Sequence, residues 1–321
     1  MEKDALQNIL EDLSQNDLVL LESIVSKLKQ DRSKKLNDSP TIFKFTNEYL
    51  SVMNQEFSKC YLRSIKLSLT SLSKFFGEAK ILAEISIKDL EKYKLFISEA
   101  APKGFVVYLR NLKAAFSRAV LWGYIDSNPF VKIKVAKVQL NKPIYLTKED
   151  LNKVLECTEN SNLRDLFLFA FNTGCRVNEI VNLKWPSIDF EKEIITIGSS
   201  DFNTKSRRQR IIPMNKVIKL ILNKVRKERK GDFVFHKSMG YHYHTDYISK
   251  KFKDSVRKAK LSEQIHFHTL RHSFASNLAN KGVPLIVIQE LMGHSSIVTT
   301  QIYSHTNLNN LRAGINKLTA A

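Results

Sequence analysis

The chain has 321 residues, a length suited to about two domains, and carries 51 Lys and Arg against 32 Asp and Glu, a net charge of +19. That excess points to a polyanionic partner, nucleic acid or an anionic membrane surface. No apolar run approaches the ~18 residues a bilayer span needs, the N-terminus lacks a signal-peptide pattern, and the three scattered cysteines, Cys60, Cys157 and Cys175, read as reduced thiols of a cytoplasmic protein.

Residues 1–37 form a helical arm by periodicity, with Leu6, Ile9, Leu10 and Leu13, then Leu18, Leu20, Leu21, Ile24 and Leu28. The arm holds six basic and seven acidic residues, so it is not the obvious grip on a polyanion. The stretch from Asp31 to Pro40, "DRSKKLNDSP", reads as a linker.

Residues 38–134 read as an all-helical domain. "TIFKFTNEYLSVMNQE" places Ile42, Phe43, Phe45, Tyr49 and Leu50 on one side, and the next helix stops at Gly77. Ser86 caps "SIKDLEKYKLFISEAA", and "GFVVYLRNLKAAFSRAVLWGYI" breaks at Gly123 before the "DSNPF" stop. Arg63, Lys66 and Lys113 lie between the apolar positions, either as a solvated face or as phosphate contacts. Residues 135–146 form a basic linker without helical period.

Residues 147–321 open with Thr147 as N-cap and Asp150 three residues on. Residues 193–198 and 208–214 are β-like, with a polar hairpin tip between them that contains Lys205, Arg207 and Arg208. Helices resume to the C-terminus. The last stretch carries Leu308, Leu311, Ile315 and Leu318 as an apolar stripe, which suits a helix docked on its own domain or on a neighbour.

The chemistry-bearing residues crowd this second part, and all eight histidines lie at position 236 or later. In "FNTGCRVNEIVNLKW" a helix ends at Gly174, and Arg176 falls in the first turn of the next, where a cation opposes the helix dipole. An anion at that point would reverse the sign; a surface arginine at a helix end is the alternative. In "HFHTLRHSFASNLANKG", His268 and Arg271 share a face, while His272 points about 100° away. In "LMGHSSIVTTQIYSH", His294 follows a helix-stopping glycine and Tyr303 comes nine residues later. A tyrosine alone is more often a packing residue. Arginines, histidines, a lysine and a tyrosine together are what metal-free phosphodiester cleavage by a phenolic oxygen requires: fixed cations for the phosphate, an acid for the leaving oxygen, and a nucleophile. "YHYH" at 241–244 has no further ligands nearby in sequence, so His242 reads as a loop residue or a DNA contact.

These motifs, in this order, resemble the tyrosine recombinase (phage integrase) family, and the Xer-like branch in layout, from about Thr41 to Tyr303. The resemblance implies a mainly α fold with a small β-sheet: a helical, SAM-like core-binding domain and a mixed α/β catalytic domain that form a C-shaped clamp on double-stranded DNA. It implies Tyr303 as the nucleophile that forms a 3′-phosphotyrosyl link. Arg176 and Arg271 would hold the phosphate, Lys205 would protonate the leaving 5′ oxygen, His268 would assist proton transfer and His294 would hydrogen-bond the phosphate. Glu179 matches an acidic supporting position.

The activity so implied is site-specific recombination, in chromosome-dimer resolution or mobile-element integration and excision. It would be carried out by a tetramer on paired sites, joined through the C-terminal helix and open to an accessory protein, without a cofactor, metal or membrane. Two other functions compete. A non-catalytic DNA-binding protein would have lost Arg176, Arg271 or Tyr303. A type IB topoisomerase-like relaxase shares the chemistry but needs no pairing of sites.

Overall fold

The computed structural model describes residues 14–134, 143–198, 209–304 and 315. Lys205, Arg207 and Arg208, most of the predicted 135–146 linker, and the predicted C-terminal helix apart from Ile315 lie outside the described residues. The chain divides into two compact units, Met1–Val138 and Gln139–Ala321.

The first unit is helical: α1 (Gln15–Asp38), α2 (Ile42–Glu56), α3 (Lys59–Phe76), α4 (Ile87–Ala100) and α5 (Phe105–Leu121). Helix α1 runs through most of the stretch read as a linker. The reason is local: 31–38 contains neither Gly nor Pro, and the break comes only at Ser39-Pro40. Its apolar residues Leu18, Leu21 and Ile24 are exposed.

Capping fixes the other helix starts. Thr41 accepts from the Lys44 N–H, Ser58 from the Tyr61 N–H, and Ser86, the cap expected, forms a reciprocal box with Asp89. On α2 the buried stripe is Ile42, Phe45, Tyr49 and Met53, whereas Phe43 is exposed. Steps of three and four keep the first set on one side; Phe43 is turned about 100° from Ile42. Phe45 and Tyr49 pack with Phe116, Trp122 and Tyr124. Between α3 and α5 the core admits two polar residues, Ser68 and Asn111, and the Asn111 amide donates to Ser64 and Ser68. Helix α5 ends beside Gly123 at φ 76°, as the sequence indicates.

The second unit packs α6 (Lys148–Glu156), α7 (Ser161–Thr173), α8 (Val177–Val181), α9 (Lys216–Lys227), α10 (Thr245–Lys258), α11 (Phe267–Asn280), α12 (Leu285–Met292) and the short α13 (Val298–Gln301) around one small sheet. The sheet is antiparallel in the order β1 (Ile188–Asp189), β2 (Ile194–Ile197), β3 (Arg210–Pro213). The sequence pattern gives β2 and β3; β1, two residues long, is too short to show a period. Ile195, Ile197, Arg210 and Ile212 face inward and Ile211 faces out. Helix α11 packs against α7, with Phe167, Phe252 and Phe267 between the helices. Leu146, the last residue of the predicted linker, is buried, and its N–H donates to Ser273 on α11. The fold is mainly helical with a small sheet, as predicted. No helix among the described residues is long and apolar enough to cross a membrane.

Candidate active site

Two helices end on left-handed glycines, and their last carbonyls meet at one guanidinium. Gly174 (φ 64°) closes α7, and its carbonyl accepts from Arg271 Nη1 at 2.6 Å. Gly293 (φ 63°) closes α12; the Met292 carbonyl accepts from Arg271 Nη2, and the Leu291 carbonyl from Arg210 Nε at 2.9 Å. The carbonyl end of a helix attracts cations, which explains how Arg271 is held in the interior at 2% exposure. Burial first, then the neighbouring Arg176 and Arg210, lowers its pKa to about 9, so it stays charged at neutral pH. No carboxylate pairs with Arg271 among the described residues.

A methyl group on Gly174 would overlap the Phe274 ring and strain the left-handed backbone. Gly174→Ala is expected to destabilise the protein by about 2–3 kcal/mol in urea unfolding. A change within about 0.5 kcal/mol would show that the ring moves aside freely.

Arg176 stands at the N-cap of α8, one position before the first turn where the sequence places it. Glu179 offsets the dipole mismatch: its carboxylate accepts the Arg176 backbone N–H and Nη1, each at 2.9 Å. The same carboxylate takes Arg210 Nη2 at 2.7 Å and Nη1 at 3.2 Å. Burial pushes the Glu179 pKa up, but Arg210 and the Arg176 N–H override it and hold it at about 2. The supporting role expected of Glu179 is therefore structural support for two arginines.

Arg210 itself was not among the predicted site residues. The available signal was its register: it shares the inward face of β3 with Ile212, and a charge there demands a buried partner. Three guanidiniums thus surround one carboxylate, and the excess positive charge suits an anion such as a phosphate diester.

The imidazoles complete the cluster. The His294 N–H is fixed by the Gln289 carbonyl at the glycine stop, and its Nδ1 bonds Thr300 Oγ1 at 2.9 Å. His268 lies edge-to-face on His272, ring centres 4.9 Å apart. His272 Nδ1 bonds the Tyr303 hydroxyl at 2.7 Å. Tyr303 is 2% exposed, packed with Ala275, Ile288 and Met292. Burial raises its pKa, while Arg271 and Arg176 pull it back, so the phenol lies within electrostatic reach of both arginines. The sequence reading set His272 aside because it points away from Arg271. Only the return of the C-terminal segment to α11 brings it to the phenol.

His268 and His294 are each lowered to about 4, by burial first and then by neighbouring cations. Both sit below the unfolded value of ~6.5. The unfolded chain therefore binds more protons between those values, and stability falls as pH drops from about 6.5 towards 4. His268 is exposed to water, which moderates its share. Thermal unfolding at pH 7 and pH 5 should show a lower midpoint at pH 5, and His294→Gln should reduce the difference. An unchanged difference would remove His294 from the buried cationic cluster.

Of the other predicted residues, Arg63, Lys66 and Lys113 are exposed on α3 and α5 in the first unit, with no ion pair among the described residues. His242 is exposed, and its ring lies tilted beside Phe233, centres 5.4 Å apart. Its neighbour His244 is 5.5 Å away, ring to ring, but no group of three or more His, Cys, Asp or Glu among the described residues is arranged to hold a metal.

Solved structures with the same arrangement of elements define the class. The integrase of transposon Tn1549, solved with transposon right-end DNA, superposes with a TM-score of 0.76 at 22% identity, covering 88% of this chain and 100% of that one. A lambda integrase tetramer bound to a Holliday junction gives 0.72 at 20% identity, covering 86% and 80%. The fold is that of these integrases.

Sequence comparison makes the assignment specific. The Phage integrase family model matches residues 145–310, and the Phage integrase SAM-like domain model matches residues 41–135. A tyrosine recombinase of Thermosipho africanus is 28% identical over 258 residues, 77% of this chain and 87% of that protein. Tyrosine recombinase XerD of Listeria monocytogenes is 31% identical over 220 residues, 64% and 72%. The chain belongs to the phage integrase family and is a tyrosine recombinase, Xer-like in its relatives.

Proposed function

We propose that the protein is a site-specific DNA recombinase that cuts and rejoins strands through a covalent 3′-phosphotyrosyl intermediate at Tyr303. The observation that carries this reading is the cluster itself: a buried Arg271 with no carboxylate, Arg176 and Arg210 around a single Glu179, and a tyrosine within their field. Arg271 and Arg176 bind the nonbridging oxygens of the scissile phosphate and stabilise the charge that develops there. His294 hydrogen-bonds the phosphate, His268 assists proton transfer, and Lys205 protonates the leaving 5′ oxygen. The energy of the broken bond is kept in the phosphotyrosyl link, so rejoining needs no external energy source.

Double-stranded DNA is the partner. The helical core-binding domain (38–134) grips its backbone through Arg63, Lys66 and Lys113, and the catalytic domain (147–321) through Arg207, Arg208 and His242. Strand exchange takes four copies on paired sites, linked by the C-terminal helix with its Leu308, Leu311, Ile315 and Leu318 stripe. The lambda integrase tetramer on a Holliday junction supports that assembly. The setting is the cytoplasm, in keeping with three free cysteines. The Xer relatives favour chromosome-dimer resolution, and the transposon and phage neighbours favour integration or excision.

The test is to map where the purified protein becomes covalently joined to genomic DNA. A small set of shared sequences is expected; random adducts would favour a relaxase, and none a binding protein. Affinity for the mapped duplex should fall steeply with salt, about 10³-fold or more between 50 and 200 mM if six or more phosphates are neutralised. A flat response would remove the basic side chains from the phosphate grip.

A further inference from the structure

Attack by Tyr303 leaves one proton without a destination. Lys205 is assigned to the leaving oxygen, so the phenol must give its own proton to another group. The site holds few acceptors. Glu179 is saturated by Arg176 and Arg210 and is held at about 2. Cys175 is buried against Arg210, and burial raises its thiol pKa. His294 has its Nδ1 engaged by Thr300. His268 touches the ring of His272. The group on the phenol oxygen is His272, through Nδ1 at 2.7 Å.

We propose that His272 is a catalytic residue, the acceptor that takes the phenolic proton of Tyr303 onto Nδ1 as the phenol oxygen attacks phosphorus. The inference rests on the recombinase reading above. The Tyr303 oxygen–phosphorus bond forms, and the phosphorus–O5′ bond breaks. The phenol proton passes to His272, and the leaving O5′ takes a proton from the Lys205 ammonium. Rejoining runs both transfers backwards.

Placement supports the role. His272 follows Arg271 directly on α11, so one rigid helix carries the phosphate-holding guanidinium and the proton acceptor side by side. The charged and titratable groups around His272 are His268 and Arg271 on its own helix, His266 at that helix's N-cap, and Tyr303 and His294 from the C-terminal segment. Burial first, then His266 and Arg271, lowers its pKa, which keeps the imidazole neutral and able to accept at neutral pH.

The test uses the duplex mapped by covalent adduct formation, prepared in two forms: ordinary, and with a bridging sulfur in place of O5′ at the cleaved phosphate. A thiolate leaves without protonation, so the sulfur duplex relieves a missing general acid but not a missing proton acceptor. His272→Ala and His272→Asn should each slow adduct formation by about 100-fold or more on both duplexes, the usual scale of acid–base catalysis. Lys205→Ala should be slow on the ordinary duplex and restored by sulfur.

Asparagine keeps a hydrogen-bond acceptor but takes no proton. A wild-type rate for His272→Asn would reduce His272 to a positioning residue and overturn the proposal, as would rescue of either His272 variant by sulfur. Should the variants fold poorly, the wild-type protein alone decides: on the sulfur duplex the rate should fall as pH drops below the ordinary histidine range, and a flat acid limb overturns the role. If the wild-type protein forms no adduct at Tyr303, the recombinase reading itself fails. An adduct at Tyr303 with unaffected His272 variants sinks only this inference.

Discussion

Tyr303→Phe is expected to abolish the covalent protein–DNA adduct while leaving DNA binding within about threefold, because phosphate contacts by basic side chains carry the affinity. The substitution removes one oxygen. The ring keeps its place against Ala275, Ile288 and Met292, and the hydrogen bond to His272 is the only described interaction lost. That loss costs about 1 kcal/mol, too little to unfold the protein. Denaturing electrophoresis of the variant with the mapped duplex should show no shifted band, and a filter or mobility assay should show normal binding. An adduct of wild-type yield would place the nucleophile on another residue. The wild-type ring is almost fully covered in the free protein. Adduct formation therefore includes a step that admits the phosphate to the phenol, and the variant should bind DNA without reporting that step.

Much of this site was legible before any coordinates, because its anchors are local. Gly174 and Gly293 stop helices in the left-handed conformation wherever the rest of the chain goes, and the Thr147 and Ser86 capping boxes are written in four consecutive residues. The residues following those stops, Arg176 and His294, were placed correctly to within a position. What stayed hidden depends on segments distant in the chain. Arg210 and Glu179 are 31 residues apart and meet only once β3 is placed by its pairing with β2. His272 and Tyr303 are also 31 apart, and the face His272 occupies on α11 becomes part of the site only when the C-terminal segment folds back onto it. Two local readings failed for local reasons. Phe43 was grouped with its neighbours by hydrophobicity rather than by angle, and the polar stretch after Asp31 was taken as a linker although it contains no helix breaker before Ser39-Pro40.

Glu179→Ala is expected to be the most destabilising single change in the second unit, by about 3–5 kcal/mol, because it strands a buried charge. Arg210 is 7% exposed and gives two hydrogen bonds to that carboxylate; without it, the guanidinium faces Arg271 and Arg176 with no counter-charge. Against a typical total stability of ~5–15 kcal/mol, the loss is a large fraction, visible as a lower urea midpoint and a lower melting temperature. Glu179 is held at about 2, below its unfolded value, so its stabilisation is fully present above the unfolded carboxylate range and is lost progressively as pH falls from that range to about 2. At neutral pH the full effect should be measured.

A double substitution separates charge from packing. Adding Arg210→Met to Glu179→Ala removes the stranded cation, so the double variant should be more stable than Glu179→Ala alone; a further loss would mean that Arg210 contributes through its contacts with the Leu291 carbonyl and Gly293 rather than through the ion pair. Cleavage should not recover with stability. Arg176 would still lack the carboxylate that bonds both its backbone N–H and its guanidinium, and a phosphate-binding arginine free to rotate stabilises the transition state less than one held in place.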